Sequence, residues 1–453
     1  MKQNMTTGSP MSIILRFMIP LFIGNLFQQI YNTVDTIIVG RYLGENALAA
    51  VGSTGTLMFV IIGFANGLCT GFTVLTSQKF GEGNLNGTRR SVATGSLLSV
   101  IVAVILTVLF LGPMAQILHL MNTPEEIFDD AYRYISVICM GIAANVAYNY
   151  LASCMRAIGN SKVPLVMLAI SSVLNIILDL VLICLTPLGV AGAAWATVIA
   201  QAISAVLSLI YIIKKEPVLT PDRSMFRLWK SDVKSQMAAG IPMALQFAIT
   251  GSGTVIMQAA FNLFGATAVA AYSAASKITS LLIQGPIAIG QTMAAYAGQN
   301  FGAGKFDRIR KGVRASLILD VVYSIGVGII AYVGLPVFMQ LFFNSEANME
   351  AMMEYARTYM GISVLFYVPL SVIFNFRNTM QGCGYGFLPM MGGVVELIAR
   401  LLFAFVAMRT MSYVLACLCD PAAWLAAGVF TGVSYLFVIK KIERIHRPAE
   451  TAV

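Results

Sequence analysis

The feature that most limits how this chain can fold is a recurrence. Segments of about 20 or more apolar residues, each long enough to cross a bilayer, return about twelve times along the 453 residues, separated by Gly, Pro, Asn or charged breaks. The expected spans are 13–40, 47–77, 91–112, 130–155, 163–186, 188–213, 236–263, 267–298, 314–336, 355–380, 387–408 and 422–439. With 58% hydrophobic and only 11% charged residues and a mean hydropathy of +0.80, the chain reads as an all-α polytopic membrane protein whose first partner is the lipid bilayer. The first segment is too long for the apolar region of a cleavable signal and lacks a small-residue cleavage site, so it is expected to insert and stay.

A formal net charge of +9 does not point to nucleic acid, because the bases fall in short runs between apolar segments. They cluster after even-numbered spans, as with Lys79, Arg89 and Arg90, then Arg156 and Lys162, Lys214 to Lys234, and Lys305 to Arg314. The tail adds Lys440, Lys441, Arg444 and Arg447, whereas loops after odd-numbered spans carry acids such as Glu125, Glu126, Glu346 and Glu350. By the positive-inside rule both termini are expected in the cytoplasm, which an even number of spans requires. The seven cysteines show no CxxC or metal-ligand spacing and read as small core residues, so no cofactor is expected.

The longest polar connection contains Pro217 and Pro221 and falls at the midpoint, which divides the chain into a six-span lobe over 1–213, a linker over 214–235 and a second lobe with its basic tail over 236–453. The halves are related. IPLFIGNL at 19–26 answers IPMALQFA at 241–248, QKFGEGN at 78–84 answers QNFGAGK at 299–305, and GAAWA at 192–196 answers PAAWL at 421–425. Gly81 and Gly302 are 221 residues and six spans apart, and six is even, so the repeats are parallel and related by an axis along the membrane normal. The glycine-rich FGEGN and FGAGK stretches lack a phosphate-cradle pattern and read as turns ending spans two and eight.

Charges inside the spans carry the functional reading. Asp35 lies in the second half of the first span, at a depth where a charged group costs roughly 2.5–3.5 kcal/mol and is therefore expected to face the bundle interior. Asn32, Tyr31, Gln28 and Gly24 precede it on one helical face, and Pro20 permits a bend below that stripe. On the fifth span Ser171, Ser172, Asn175 and Asp179 also share a face. If the two faces meet, a pair of carboxyls sits in an apolar bundle with no basic counter-ion. Such a pair must hold a proton or bind a cation, unless it serves only as an interhelical hydrogen bond.

In the second half Lys277, Arg377 and Arg400 accompany Asp320 and Glu396. Lys277, Glu396 and Arg400 are expected to form a self-neutralising cluster between spans eight and eleven, with a substrate or gate role as the alternative. Asp320, about two turns in from the cytoplasmic end of its span, is expected to reach the interface. No HExxH or GxSxG occurs, and neither His119 nor His446 lies in a span, so a membrane enzyme is not expected; nor does the chain hold a filter repeat of the kind a channel needs.

These residues together resemble the MATE (multidrug and toxic compound extrusion) transporters over essentially the whole chain. The resemblance rests on the proline in the first span followed by Tyr-Asn-Thr-Val-Asp-Thr, on the Gly40 to Gly44 close, on the paired FGxG loops, on Asn175 to Asp179, and on the six-plus-six repeat. It implies two pseudosymmetric six-helix lobes in a V, in the plasma (inner) membrane of a prokaryote. The implied activity is export of small cationic or amphiphilic compounds in exchange for H⁺ or Na⁺, with no nucleic acid and no obligate protein partner. By the same resemblance Asp35, Tyr31, Tyr134, Asn175, Asp179 and Thr197 fall at the ion site, while the stripe itself makes Pro20 a hinge and leaves Gln28 a cavity or structural residue. Some members carry a second-lobe cation site with acids on spans seven and ten. Here Thr250, Gln258 and Asn375 stand in those regions, which argues against a site of that kind. A lipid-linked oligosaccharide flippase of the same superfamily is the rival; it favours a strongly basic cavity, to which Lys277 and Arg400 would contribute.

Overall fold

The computed structural model describes residues 4–342 and 349–446, and these form helices with no strand among them. Glu346 and Arg447, counted above as topology signals, lie outside the described residues. In chain order the α-helices are α1 (Pro10–Leu43), α2 (Glu45–Gly81), α3 (Leu85–Leu111), a short α4 (Met114–Leu120), α5 (Glu125–Met140), α6 (Ile142–Ala157), α7 (Lys162–Cys184) and α8 (Val190–Lys215). After two single 3₁₀ turns come α9 (Lys230–Asn262), α10 (Ala266–Leu282), α11 (Gln284–Gly302), α12 (Phe306–Phe342), α13 (Met349–Val364), α14 (Tyr367–Gly382), α15 (Phe387–Thr410), α16 (Tyr413–Cys417) and α17 (Cys419–His446). Among the described residues ten stretches are long and apolar enough to cross a membrane, and the number reaches twelve if each of two bent helix pairs is one span.

Those two pairs differ from the continuous spans expected at 130–155 and 355–380: α5 and α6 meet at 46°, α13 and α14 at 47°. The first corner is Gly141, where a Cβ would lie 2.1 Å from Cγ2 of Val198, so only glycine lets the corner close against α8. At the second, Pro369 sits in the first turn of α14 and has no N–H to continue the ladder from α13. The FGEGN and FGAGK stretches do end α2 and α11, with Gly83 at φ +78° and Gly304 at φ +69° making the turns.

The helices fall into two compact units, one gathering Ile19–Phe247 and the other Met5–Met18 with Ala248–Val453. Two long helices, α1 and α9, therefore start in one unit and finish in the other. Each changes unit close to its internal proline, Pro20 in α1 and Pro242 in α9.

In the first unit α2 and α9 touch backbone to backbone. A Cβ on Gly67 would lie 2.7 Å from Cα of Ala244, and one on Gly71 would lie 2.3 Å from Cα of Gly240. This small-residue crossing is the usual basis of close helix approach in lipid, where dispersion rather than water exclusion holds helices together. Gly71→Val is therefore expected to push α9 away and destabilise the fold by at least the roughly 1–3 kcal/mol typical of overpacking. Size-exclusion profiles and thermal unfolding in detergent check this, and a wild-type profile would remove the crossing from the account.

Residues of the central connection pack onto the same unit. Arg90 makes a two-pronged pair with Asp232, both contacts at 2.9 Å, and the Trp229 ring lies 5.2 Å from the Arg90 guanidinium and 5.0 Å from that of Arg227. In the second unit Met5 is fully buried. Its N–H donates to Gln299 Oε1 (3.2 Å), and its carbonyl accepts from Asn300 Nδ2 (3.1 Å) and Arg308 Nη2 (3.2 Å). The start of α1 is thus tied to the turn that ends α11.

Candidate functional site

The first unit assembles most of the polar residues expected at the ion site. Asp35 comes from α1, Tyr134 from α5, Asn175 and Asp179 from one face of α7, and Thr197 from α8. Asp179 is fully buried, Asn175 and Tyr134 nearly so, and Asp35 half-buried. Tyr132, two residues from Tyr134, is exposed. Gly24 of α1 faces α7, where a Cβ would meet Leu165 at 3.5 Å and Leu168 at 3.6 Å, ordinary van der Waals distances.

The Asp35 and Asp179 carboxyls face one another within hydrogen-bonding reach, and both Tyr31 and Tyr134 lie in their electrostatic field. Asn175 Nδ2 donates to Thr197 Oγ1 at 3.3 Å, which leaves the amide oxygen of Asn175 without a donor. Both oxygens of Asp179 and Oδ1 of Asp35 also lack one. Four buried oxygens with no donor are a strong deficit, because a buried acceptor left unpaired costs roughly 1–3 kcal/mol and more if charged. Among the described residues neither acid forms an ion pair. An all-oxygen set of this kind suits a proton or a hard monovalent cation. It lacks the softer ligands of a transition-metal site, and among the described residues no group of three or more His, Cys, Asp or Glu is placed to hold a metal ion.

Other parts of the expected stripe are looser. Tyr31 is half-buried and its side chain hydrogen-bonds that of Gln28, which, with Asn32, is exposed. α1 runs through Pro20 as one helix.

The second-half cluster has different members from those expected. Lys277 is exposed and takes no part in it. Glu396 instead lies between Arg377 at 3.7 Å and Arg400 at 3.5 Å, and Arg400 Nε donates to Asp420 Oδ1 at 2.8 Å. The four formal charges cancel. Room for the Arg400 guanidinium is made by Gly253 on α9, where a Cβ would lie 2.8 Å from Nη1. Asp420 was missed because α17 begins at Cys419, ahead of the span start expected at 422, so a residue placed in a loop belongs to a helix. Asp320 does not reach the interface either: it is fully buried and accepts from Asn375 Nδ2 at 2.8 Å.

Ten to twelve candidate spans, related halves and a donor-starved acid pair in one of them describe a polytopic helical membrane protein. The profile of the MatE family matches residues 20–181 and 242–406, one stretch in each half, beginning at Pro20 and Pro242. The chain belongs to the MatE family. The probable multidrug resistance protein YoeA of Bacillus subtilis (strain 168) is 27% identical over 340 residues, 74% of this chain and 73% of that protein. The probable multidrug resistance protein NorM of Bradyrhizobium diazoefficiens is 25% identical, covering 93% of this chain and 89% of its own. Among solved structures, a crystal structure of MATE in complex with MaL6 shares the fold with a TM-score of 0.90 at 21% identity, covering 98% of this chain and 99% of that one.

Proposed function

We propose that this protein is a secondary active multidrug efflux transporter that exports organic cations or related amphiphilic compounds in exchange for H⁺ or Na⁺ by alternating access. In this reading it sits in the plasma membrane with both termini in the cytoplasm, as the distribution of Lys and Arg favours. The observation that carries the coupling site is the facing Asp35 and Asp179 carboxyls, three of whose oxygens are buried without a donor. The transport class is supported by family membership and by the names of the two relatives given above, each a probable multidrug resistance protein.

The mechanism follows from the helix that holds Asp35. With the pair empty and ionised, two like charges repel across α1 and α7. A bound proton or Na⁺ removes that repulsion and lets α1 settle against α7. Pro20 leaves the carbonyl of Arg16 without its helical donor, so α1 bends at low cost where it changes unit. Coupling of this kind needs only a differential affinity of about 1–3 kcal/mol between two states.

The flippase reading is left with the exposed Lys277, because Arg377 and Arg400 are neutralised by Glu396 and Asp420. Export of a fluorescent organic cation from everted vesicles, with a pH gradient and a Na⁺ gradient imposed separately, tests the proposal. Export under one gradient names the ion; no export under either would sink the antiport reading.

A further inference from the structure

One seam of the second unit carries buried polar residues that this coupling site does not use. Ser316, Asp320 and Ser324 recur every fourth residue on α12, and Tyr367, Ser371, Asn375 and Thr379 do the same on α14, so each set lines one helix face. The two faces meet. Ser324 Oγ and Ser371 Oγ are 2.7 Å apart, while Asn375 Nδ2 donates to Ser316 Oγ at 2.7 Å and to Asp320 Oδ2 at 2.8 Å. Ser316, Asp320, Ser371 and Asn375 are all fully buried.

Hydroxyls and an amide alone would make this seam ordinary interhelical glue. Asp320 goes beyond glue. Its Oδ1, the Asn375 Oδ1 and the Thr379 Oγ1 are buried with no partner. Charged and titratable groups on the helices packed against α12 are engaged elsewhere or lie apart. Tyr296 of α11 donates to the Arg308 carbonyl (3.0 Å), Arg377 of α14 pairs with Glu396, Tyr367 of α14 bonds Thr279 (3.2 Å), Glu443 of α17 pairs with Arg310, Tyr359 of α13 packs edge-on to Tyr272, and Lys277 of α10 is exposed. Among the described residues Asp320 forms no ion pair, and the Asn375 amide donates to it. At the 221-residue offset of the repeat, Asp320 corresponds to Ser99 on α3, so it is no image of Asp35.

We infer that Asp320 is a second proton-exchange site, a carboxyl that takes up and releases one proton in the transport cycle independently of the Asp35 and Asp179 pair. The step is COO⁻ + H⁺ ⇌ COOH, with no other bond made or broken. Its partner serves both forms: the Asn375 amide donates to the carboxylate and, turned over, accepts from the acid. A metal cation fits less well. Hard cations such as Ca²⁺ and Mg²⁺ take about six or more oxygen ligands, and the seam offers Asp320 only two free carbonyl-type oxygens. This inference rests on the antiport reading for its role in the cycle but not for the existence of the site.

Infrared difference spectroscopy of the full-length protein in lipid, using ethidium as the organic cation, tests it. The wild type is expected to show a carboxylic-acid C=O band that titrates with pH, loses intensity when ethidium is added, persists in Asp35→Asn and is absent in Asp320→Asn. Proton uptake after a pH jump should fall by about one proton per molecule in Asp320→Asn. If Asp320→Asn does not fold, Asn375→Ser must shift the same band. A band that ignores both pH and ethidium makes Asp320 a fixed structural acid and overturns the inference, as does a band that appears only when Na⁺ is withdrawn. Should the protein fail to export ethidium at all, the antiport reading fails, while the pH titration still decides the site.

Discussion

Asp35→Asn and Asp179→Asn are each expected to abolish gradient-driven export while leaving the protein folded and inserted. Asparagine keeps the size of the carboxyl and most of its hydrogen bonding but holds neither a proton nor a cation in exchange. Each substitution removes one of two facing acids whose buried oxygens have no donor. If coupling is worth about 1–3 kcal/mol, its loss shows as a drop of roughly 5- to 150-fold in export driven by the imposed gradient. Passive exchange of labelled substrate, which needs no coupling, should fall much less. The decisive comparison is coupled export against passive exchange in the same vesicles; an equal loss of both would mean a folding defect, and unchanged coupled export in both variants would move the ion site elsewhere.

Glu396→Ala is expected to be the most damaging single substitution in the second unit. Arg377 and Arg400 would then both lose the carboxylate that lies between them, and two buried positive charges would stand against the single negative charge of Asp420 in the cluster. Removing one partner of a buried ionic network typically costs about 3–5 kcal/mol, because the charge left behind is neither solvated nor paired. That is a large share of the stability of most domains, so little folded protein should survive in detergent. The second substitution Arg377→Met should recover much of the loss, since it removes the excess charge and leaves Arg400 with Asp420. Thermal unfolding of the single and double variants measures both effects, and a double variant no better than Glu396→Ala would show that the charge balance is not what the cluster supplies.

Much of this architecture was legible in the order of residues. Bilayer thickness fixes span length, so ten of the twelve apolar segments appear as membrane-length helical stretches and the other two as bent helix pairs, and helical spacing alone places Asn175 and Asp179 on one face of α7. That this face meets α1 needed the repeat and the resemblance as well, because spacing on a helix says nothing about which neighbour it touches. The misses share one physical cause. Hydropathy locates the apolar middle of a helix but not its polar ends, and α12 begins at Phe306, more than two turns before the start expected at 314. Asp320 was therefore taken to lie near an interface when it lies deep in a helix. The same effect hid Asp420. Lys277 was misplaced for a different reason: a lysine in an apolar run carries no mark of which way its face turns. The corners at Gly141 and before Pro369 were visible only as small or rigid residues among many, and it is their contacts that distinguish them.

The passage of α1 and α9 between the units has a consequence for how the molecule is made. Each repeat lends the opening turns of its first helix to the other, so neither half is a self-sufficient product of translation. A ribosome that has finished residues 1–213 has made Met5–Met18 before the unit that receives it exists, and the first unit still lacks Lys230–Phe247 of α9. Cleavage within the central connection would give two fragments with complementary debts, each carrying a strand of helix that belongs with its sister. Duplication of an ancestral six-span segment followed by this exchange would have bound the copies into one chain, and a gene split at the connection would regain function only where both pieces are present in the same membrane.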